Sequence, residues 1–246
     1  MAKILKQRFW EIDFLRGLAI IMMIIFHFFY DLNYFGVQGI NFGSGFWWVF
    51  ARVIVTIFVL LVGISLTISH SRAKKRKTGW KLFKKYLLRG LKIFGWGLII
   101  TLITWLFLKR GFIIFGILHF IGVSIILAYP FLKLKFWNVL LGIIFILIGI
   151  YMENLTFNSY WLVWAGLKPY YLYTVDYVPI FPWFGVILFG LFLGTLLYPN
   201  GKRRLKISNL SNFSFIRLFC FLGRNSLLIY LIHQPILVIF LYLFVL

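Results

Sequence analysis

Long apolar runs alternate with short polar ones along this chain, and the apolar runs are close to the length a bilayer requires. Seven can be drawn, at roughly 14–32, 46–69, 91–108, 112–131, 136–152, 179–198 and 221–245. No repeat, low-complexity tract or second domain interrupts them, so a single transmembrane domain over residues 1–246 is expected. Lipid offers the backbone no hydrogen bonds, and helices satisfy themselves. The pattern therefore predicts an all-α, polytopic integral membrane protein with about seven transmembrane helices.

The polar punctuation orients these spans. Lys3, Lys6, Arg8 and Arg16 precede or open the first run, and ten Lys or Arg fall between His70 and Lys92. Lys133, Lys135, Lys202, Arg203, Arg204 and Lys206 follow. Seven spans place these twenty cations on one side, against Lys109, Arg110 and Lys168 on the other. The cation-rich side is cytoplasmic by the positive-inside rule, which puts the N-terminus inside and the C-terminus outside. A multi-pass protein of the plasma membrane is expected. No small-residue cleavage site follows the first run, so it reads as a retained span.

Composition agrees. The chain is 63% hydrophobic with five acidic residues, more apolar surface than a soluble domain of 246 residues could hide. The net charge of +21 sits in short interhelical stretches, so it points to anionic lipid and away from nucleic acid. In SRAKKRKTGWKLFKKYLLRGLK, Leu82, Phe83, Tyr86, Leu87 and Leu91 interleave with Lys81, Lys84, Lys85 and Arg89. That spacing predicts a cytoplasmic loop followed by an amphipathic helix on the membrane surface, with ligand phosphates as a second use for its charge. The outer stretch from Glu153 to Val178 is rich in Tyr and Trp, which suits an interfacial belt or a lid over an outer substrate. Cys220, the one cysteine, lies among apolar residues and reads as a buried thiol.

The first run carries the chemistry. RFWEIDFLRGLAIIMMIIFHFFYDLNYF contains Glu11, Asp13, Arg16, His27 and Asp31 within apolar surroundings. On a helix, Arg16 and His27 lie about 20° apart in azimuth and about 16 Å apart along the axis. Asp13 and Asp31 fall on the same side. Ionisable groups at membrane depth are costly and mark functional sites by default. His27 has Asp31 one turn on, where a carboxylate can fix the imidazole tautomer, the arrangement of a general base. A packed polar histidine is the plainer alternative. Arg16 can snorkel and pair with Asp13, or hold phosphate through its guanidinium; Gly17 beside it allows close approach.

Further polar positions fall on later runs. In LGRNSLLIYLIHQPIL, Ser226, Tyr230 and His233 share a helical face with Gly223 close by, and Arg224, Asn225 and Gln234 add polarity. Pro235 is expected to bend this span and free the Leu231 carbonyl. Ser226 and His233 are too far apart to form a nucleophile–base pair, so a cavity lining is the reading. His119 lies in GILHFIGVSIIL, and Asp176 stands at the outer edge of DYVPIFPWFG, where Pro179 and Pro182 suit an irregular helix entry. These residues join the expected lining. The histidines show no short paired spacing, and no metal site is expected.

EIDFLRGLAIIMMIIFHFFYDLNYF, GILHFIGVSIIL, DYVPIFPWFG and LGRNSLLIYLIHQP, in this order, resemble the catalytic-domain family of heparan-α-glucosaminide N-acetyltransferase. The wider membrane acyltransferase superfamily opens similarly, with an Arg, ten residues and a His, a pattern that Arg16 and His27 match. The resemblance implies acetyl-CoA or another acyl-CoA as co-substrate, with no permanently bound cofactor. The acyl group would pass to a sugar amine or hydroxyl across the membrane. His27, supported by Asp31, would be catalytic; Arg16, with Asp13 and Arg89 or Lys92 nearby, would hold CoA phosphate. The implied partners are membrane lipids, acyl-CoA and a glycan or amino-sugar acceptor, with a homodimer compatible. The competing class is a small-solute or proton-coupled transporter using the same polar row. Against it, no inverted repeat is visible. A non-catalytic assembly protein is the third class.

Overall fold

A computed structural model describes residues 8–108 and 110–245. The charges at Lys3, Lys6 and Lys109 used above lie outside the described residues. The chain is all-helical, as its hydropathy pattern predicts: α1 (Trp10–Tyr34), α2 (Gly45–Ala73), α3 (Gly79–Leu108), α4 (Ile117–Phe131), α5 (Trp137–Glu153), α6 (Ile180–Leu197), α7 (Ser214–Arg224) and α8 (Ser226–Phe244). Among the described residues the extended pairings are isolated bridges, such as Gly111 with Thr174 and Phe115 with Tyr177. Five helices, α1, α2, α3, α6 and α8, are long and apolar enough to cross a membrane. Helices α4 and α5 are apolar but shorter, at 15 and 17 residues.

Three expected boundaries are corrected. The run at 221–245 is not one helix, because α7 ends at Arg224 and α8 starts at Ser226. Asn225 leaves helical geometry at the junction (φ −100°, ψ 15°), its carboxamide donating to the Phe221 carbonyl at 2.9 Å. Gly223 thus belongs to α7 and not to the His233 helix. The run at 112–131 becomes helical only at Ile117, since Gly111 adopts a positive φ of 80° and residues near it bridge to the 174–177 strip. The basic amphipathic stretch is no separate surface helix; it continues into the third span as the 30-residue α3. Pro235 lies inside α8, which continues to Phe244.

Contacts divide the chain into two units, Met1–Phe58 with Ile207–Leu246, and Val59–Lys206, the division falling within α2. In the first unit α1 packs on α7 and α8. Gly17 of α1 lies against the Phe219 carbonyl of α7, and Gly223 of α7 against the Asp13 carbonyl, so neither position has room for a Cβ. Small residues let helix backbones approach without a hydrophobic driving force, which lipid does not supply. The interior of this unit is Ile20, Met23 and Ile54, with Phe26, Phe58, Ile229 and Tyr230 packed around them.

In the second unit α3 packs on α4, and α6 on both α4 and α5. Its core holds Phe120, Phe184, Ile187 and Leu188, all essentially inaccessible. Many aliphatic side chains of α3, α5 and α8 face outward, Leu102, Leu147 and Ile239 among them, as helices that border lipid require. The α6 entry is irregular, as Pro179 and Pro182 predict: Pro179 precedes the first turn and Phe181 is non-helical (φ −96°, ψ 128°).

Candidate active site

The polar row of α1 meets α8 inside the first unit. The His27 Nδ1 lies 2.9 Å from the Met23 carbonyl oxygen, which can only accept, so Nδ1 carries the proton. In the neutral ring Nε2 is then a lone-pair acceptor. His233 repeats the arrangement one helix over, with Nδ1 at 2.6 Å from the Tyr230 carbonyl. The two rings meet edge to face, their centroids 4.8 Å apart. Two imidazoles from different helices are thus held in one tautomer by backbone carbonyls, each keeping Nε2 for something else.

Asp31 does not orient His27, contrary to the expectation from their spacing. Its Oδ1 accepts a 2.7 Å hydrogen bond from the Gln234 carboxamide of α8, while the Met23 carbonyl of His27's own helix does the orienting. The carboxylate is 4% exposed. Its other oxygen, Oδ2, is buried without a hydrogen-bond partner, as are Gln234 Oε1 and His233 Nε2. Each of the first two is the geminal neighbour of an atom in the Asp31–Gln234 bond, so they flank it on either side. All three can accept from a donor, Nε2 because its ring is protonated at Nδ1. Buried polar atoms of native proteins nearly always have partners, and orphans ask for an explanation. Here the explanation has one chemistry: a hydrogen-bond donor.

Arg16 occupies the other end of α1. Its Nη1 donates to Asp13 Oδ1 at 3.2 Å and reaches the Gly223 carbonyl at 3.5 Å. The expected Arg16–Asp13 pair is therefore formed, and Gly17 provides the expected close approach. Cys220 is buried on α7, its thiol donating to the Trp10 carbonyl at 3.3 Å, and burial pushes its pKa up so that it stays neutral. Of the remaining expected lining, Tyr230 packs beside His233 at 5.5 Å between centroids. Ser226 begins α8, and Asn225 is spent on the helix break.

His119, Asp176 and Arg89 belong to the second unit. There the Gly116 N–H donates to His119 Nδ1 at 3.3 Å. Nε2–H then faces Thr101 Oγ1 at 3.3 Å, and that hydroxyl donates to the Ile113 carbonyl at 2.7 Å. His119 is 2% exposed and both ring nitrogens are engaged, so it braces α3 to the start of α4 and leaves no nitrogen for chemistry. Asp176 accepts from the Ile117 N–H at 3.0 Å and caps α4 from the 174–177 strip. Both are corrected from cavity lining to structural bonds. Arg89 is exposed on α3.

Sequence reasoning missed the Asp31–Gln234 partnership and the His27–His233 contact. It named Lys85 and Tyr86 in the basic stretch but did not join them to Ser69 and His70 of α2, with which they cluster in the second unit. Polarity along a chain names residues but not partners.

The fold and site together define a helical membrane protein with a buried cluster of polar side chains on its first and last helices. The chain belongs to the heparan-alpha-glucosaminide N-acetyltransferase catalytic family, whose model matches residues 8–235. That family is one of membrane acetyltransferases, and acetyl transfer in general draws on an acyl-CoA co-substrate. No curated protein and no solved structure matches the chain significantly.

Proposed function

We propose that the protein is a seven-span acyltransferase of the plasma membrane that takes an acetyl or other acyl group from acyl-CoA on the cytoplasmic side. It delivers the group to a sugar amine or hydroxyl at or beyond the outer side. The observation that carries this reading is the His27 ring, its Nδ1 proton committed to the Met23 carbonyl and Nε2 left as a base, beside three buried acceptors without donors. An amine or hydroxyl acceptor supplies the missing donors. A bare aqueous cavity would not call for a tautomer locked twice.

In this reading the acceptor's nitrogen or oxygen attacks the thioester carbonyl as His27 Nε2 removes its proton. The C–S bond of the tetrahedral intermediate then breaks. The coenzyme leaves as a thiol, taking up the proton that the imidazolium gives back. Asp31, held in place by Gln234, stands one turn on from His27, with its buried Oδ2 open to a hydrogen bond from the acceptor. Arg16 stands about 16 Å along the helix from His27, a distance that an extended pantetheine arm bridges. The twenty cations assigned to the inner side support the orientation, with acyl-CoA arriving from that side.

The test is thiol release from acetyl-CoA by the purified protein in liposomes, with amino-sugar and neutral-sugar acceptors. Acceptor-dependent release that falls by about 10²–10⁴ in His27→Ala is expected for the loss of a general base. Undiminished turnover in that variant overturns the assignment. Proton or solute flux without thiol release would establish the carrier reading in its place.

A further inference from the structure

The corner of the second unit where α2 ends, α3 begins and α4 ends holds a second group of polar side chains. Lys85 Nζ donates to Ser69 Oγ at 2.9 Å and reaches the Ser69 carbonyl at 3.5 Å. Beside it, His70 Nδ1 lies 3.3 Å from the hydroxyl of Tyr86, a residue with no exposed surface. Tyr129 of α4 closes the corner, its ring 5.4 Å from that of Tyr86 and 6.3 Å from that of His70. Lys74 and Lys133 act electrostatically on His70, and Arg89 on Lys85.

Among the described residues of the second unit, this corner has no counter-charge. The chain has no Asp or Glu between Asp31 and Glu153. The second unit's two carboxylates, Glu153 and Asp176, lie at the far ends of its helices. Asp176 binds the first residue of α4 and Tyr129 sits twelve residues on, about 18 Å by helical rise. That is roughly twice the Debye length at physiological ionic strength of about 8 Å. Half-buried Lys85 has two of its three N–H directions on Ser69, which aims the ammonium and leaves one donor available. An ammonium aimed by a serine, a histidine and a tyrosine beside it, and cations all round describe a receptor for an oxyanion.

We propose that Ser69, His70, Lys85 and Tyr86 form a phosphate-binding site in the second unit. The phosphate belongs either to coenzyme A or to the headgroup of an anionic lipid. The coenzyme source rests on the acyltransferase reading and the lipid source does not. Lys85 donates the principal charge-assisted hydrogen bond, and Ser69 sets its direction.

The experiment uses the full chain in phosphatidylcholine nanodiscs with and without phosphatidylglycerol. It reads binding of CoA and of dephospho-CoA by titration, and the lipid by thermal stabilisation. Variants are Lys85→Gln, Lys85→Arg, Ser69→Ala and, as a control on the exposed loop, Lys75→Gln. The expected result is about a tenfold loss of one ligand's binding in Lys85→Gln, the size of one charge-assisted bond. Lys85→Arg and Lys75→Gln should retain it, and added salt should weaken it. Loss confined to CoA identifies the coenzyme as the source, and loss confined to phosphatidylglycerol identifies the lipid. If Lys85→Gln does not fold, Ser69→Ala still reads the site, with a smaller loss for the same ligand. The proposal is overturned if neither ligand responds to Lys85→Gln or Ser69→Ala, or if Lys75→Gln costs as much. All titrations are repeated in His27→Ala, where phosphate binding should persist even if the reading of His27 fails.

Discussion

His27 and His119 both sit in apolar helices, and their surroundings differ in one respect: what each ring nitrogen has to do. His119 has a donor at Nδ1 and an acceptor at Nε2, and its neighbours Thr101, Gly116 and Ile113 complete a closed chain. His27 and its partner His233 have only Nδ1 engaged, each by a carbonyl of the preceding helical turn. Nε2 of His233 is buried without a partner, and the nearby Asp31–Gln234 pair carries two further orphan oxygens. Burial alone would rank His119 first, since it is the least exposed of these histidines at 2%. Hydrogen-bond completeness ranks it last. A closed network holds a fold together, and an open one waits for a ligand.

The sharpest way to break this contrast is to remove each imidazole and read activity and stability separately. His27→Ala should lose about 10²–10⁴ in turnover while melting close to wild type. His119→Ala should do the reverse. It strands the Gly116 N–H and leaves the Thr101 hydroxyl with only its bond to the Ile113 carbonyl, and unfolding in detergent should show a loss of about 1–3 kcal/mol with turnover per folded molecule retained. Equal effects of the two variants on turnover would erase the distinction.

A second cut falls on the Asp31–Gln234 bond. Gln234→Leu leaves Asp31 buried without its donor, for an expected loss of about 1.5–3 kcal/mol in a denaturation series. Asp31→Leu combined with Gln234→Leu should recover much of that stability, because an apolar pair leaves no polar group unsatisfied. Activity should not return with it. A double variant that regains both would make the pair purely structural. The smallest expected effect is that of Asp176→Ala in the other unit. The lost cap on α4 should cost about 1 kcal/mol, seen as a modest fall in Tm without a change in acceptor KM.

Much of the architecture is legible in the sequence. An apolar run of bilayer length has one low-energy form in lipid, so the helical character of the chain follows from hydropathy. Arg16 and Asp13 are three residues apart, and a pair at that spacing on a helix meets without help from the rest of the fold. Pro179 and Pro182 announce an irregular entry to α6 because the ring excludes ordinary helical bonding there. Where local polarity competed, the reading failed. Asn225 ends α7 inside what hydropathy shows as one span, since its carboxamide satisfies the Phe221 carbonyl and lets the chain turn.

The candidate site divides along the same line. By itself, the sequence determined that α1 carries a row of ionisable groups on one face, because helical periodicity is a property of a single segment. It named His27 and Asp31 and assumed that neighbours on one helix serve each other. Only the tertiary structure decided that Asp31 is held by Gln234, 203 residues away, and that His27 faces His233. It also withdrew His119 and Asp176 from the site by giving each of them a structural bond. The reason is physical: periodicity specifies which side of a helix is polar. Partners come from whichever helix packs there: α8 beside His27 and Asp31, and α7 beside Gly17, where a glycine on each helix admits the other backbone.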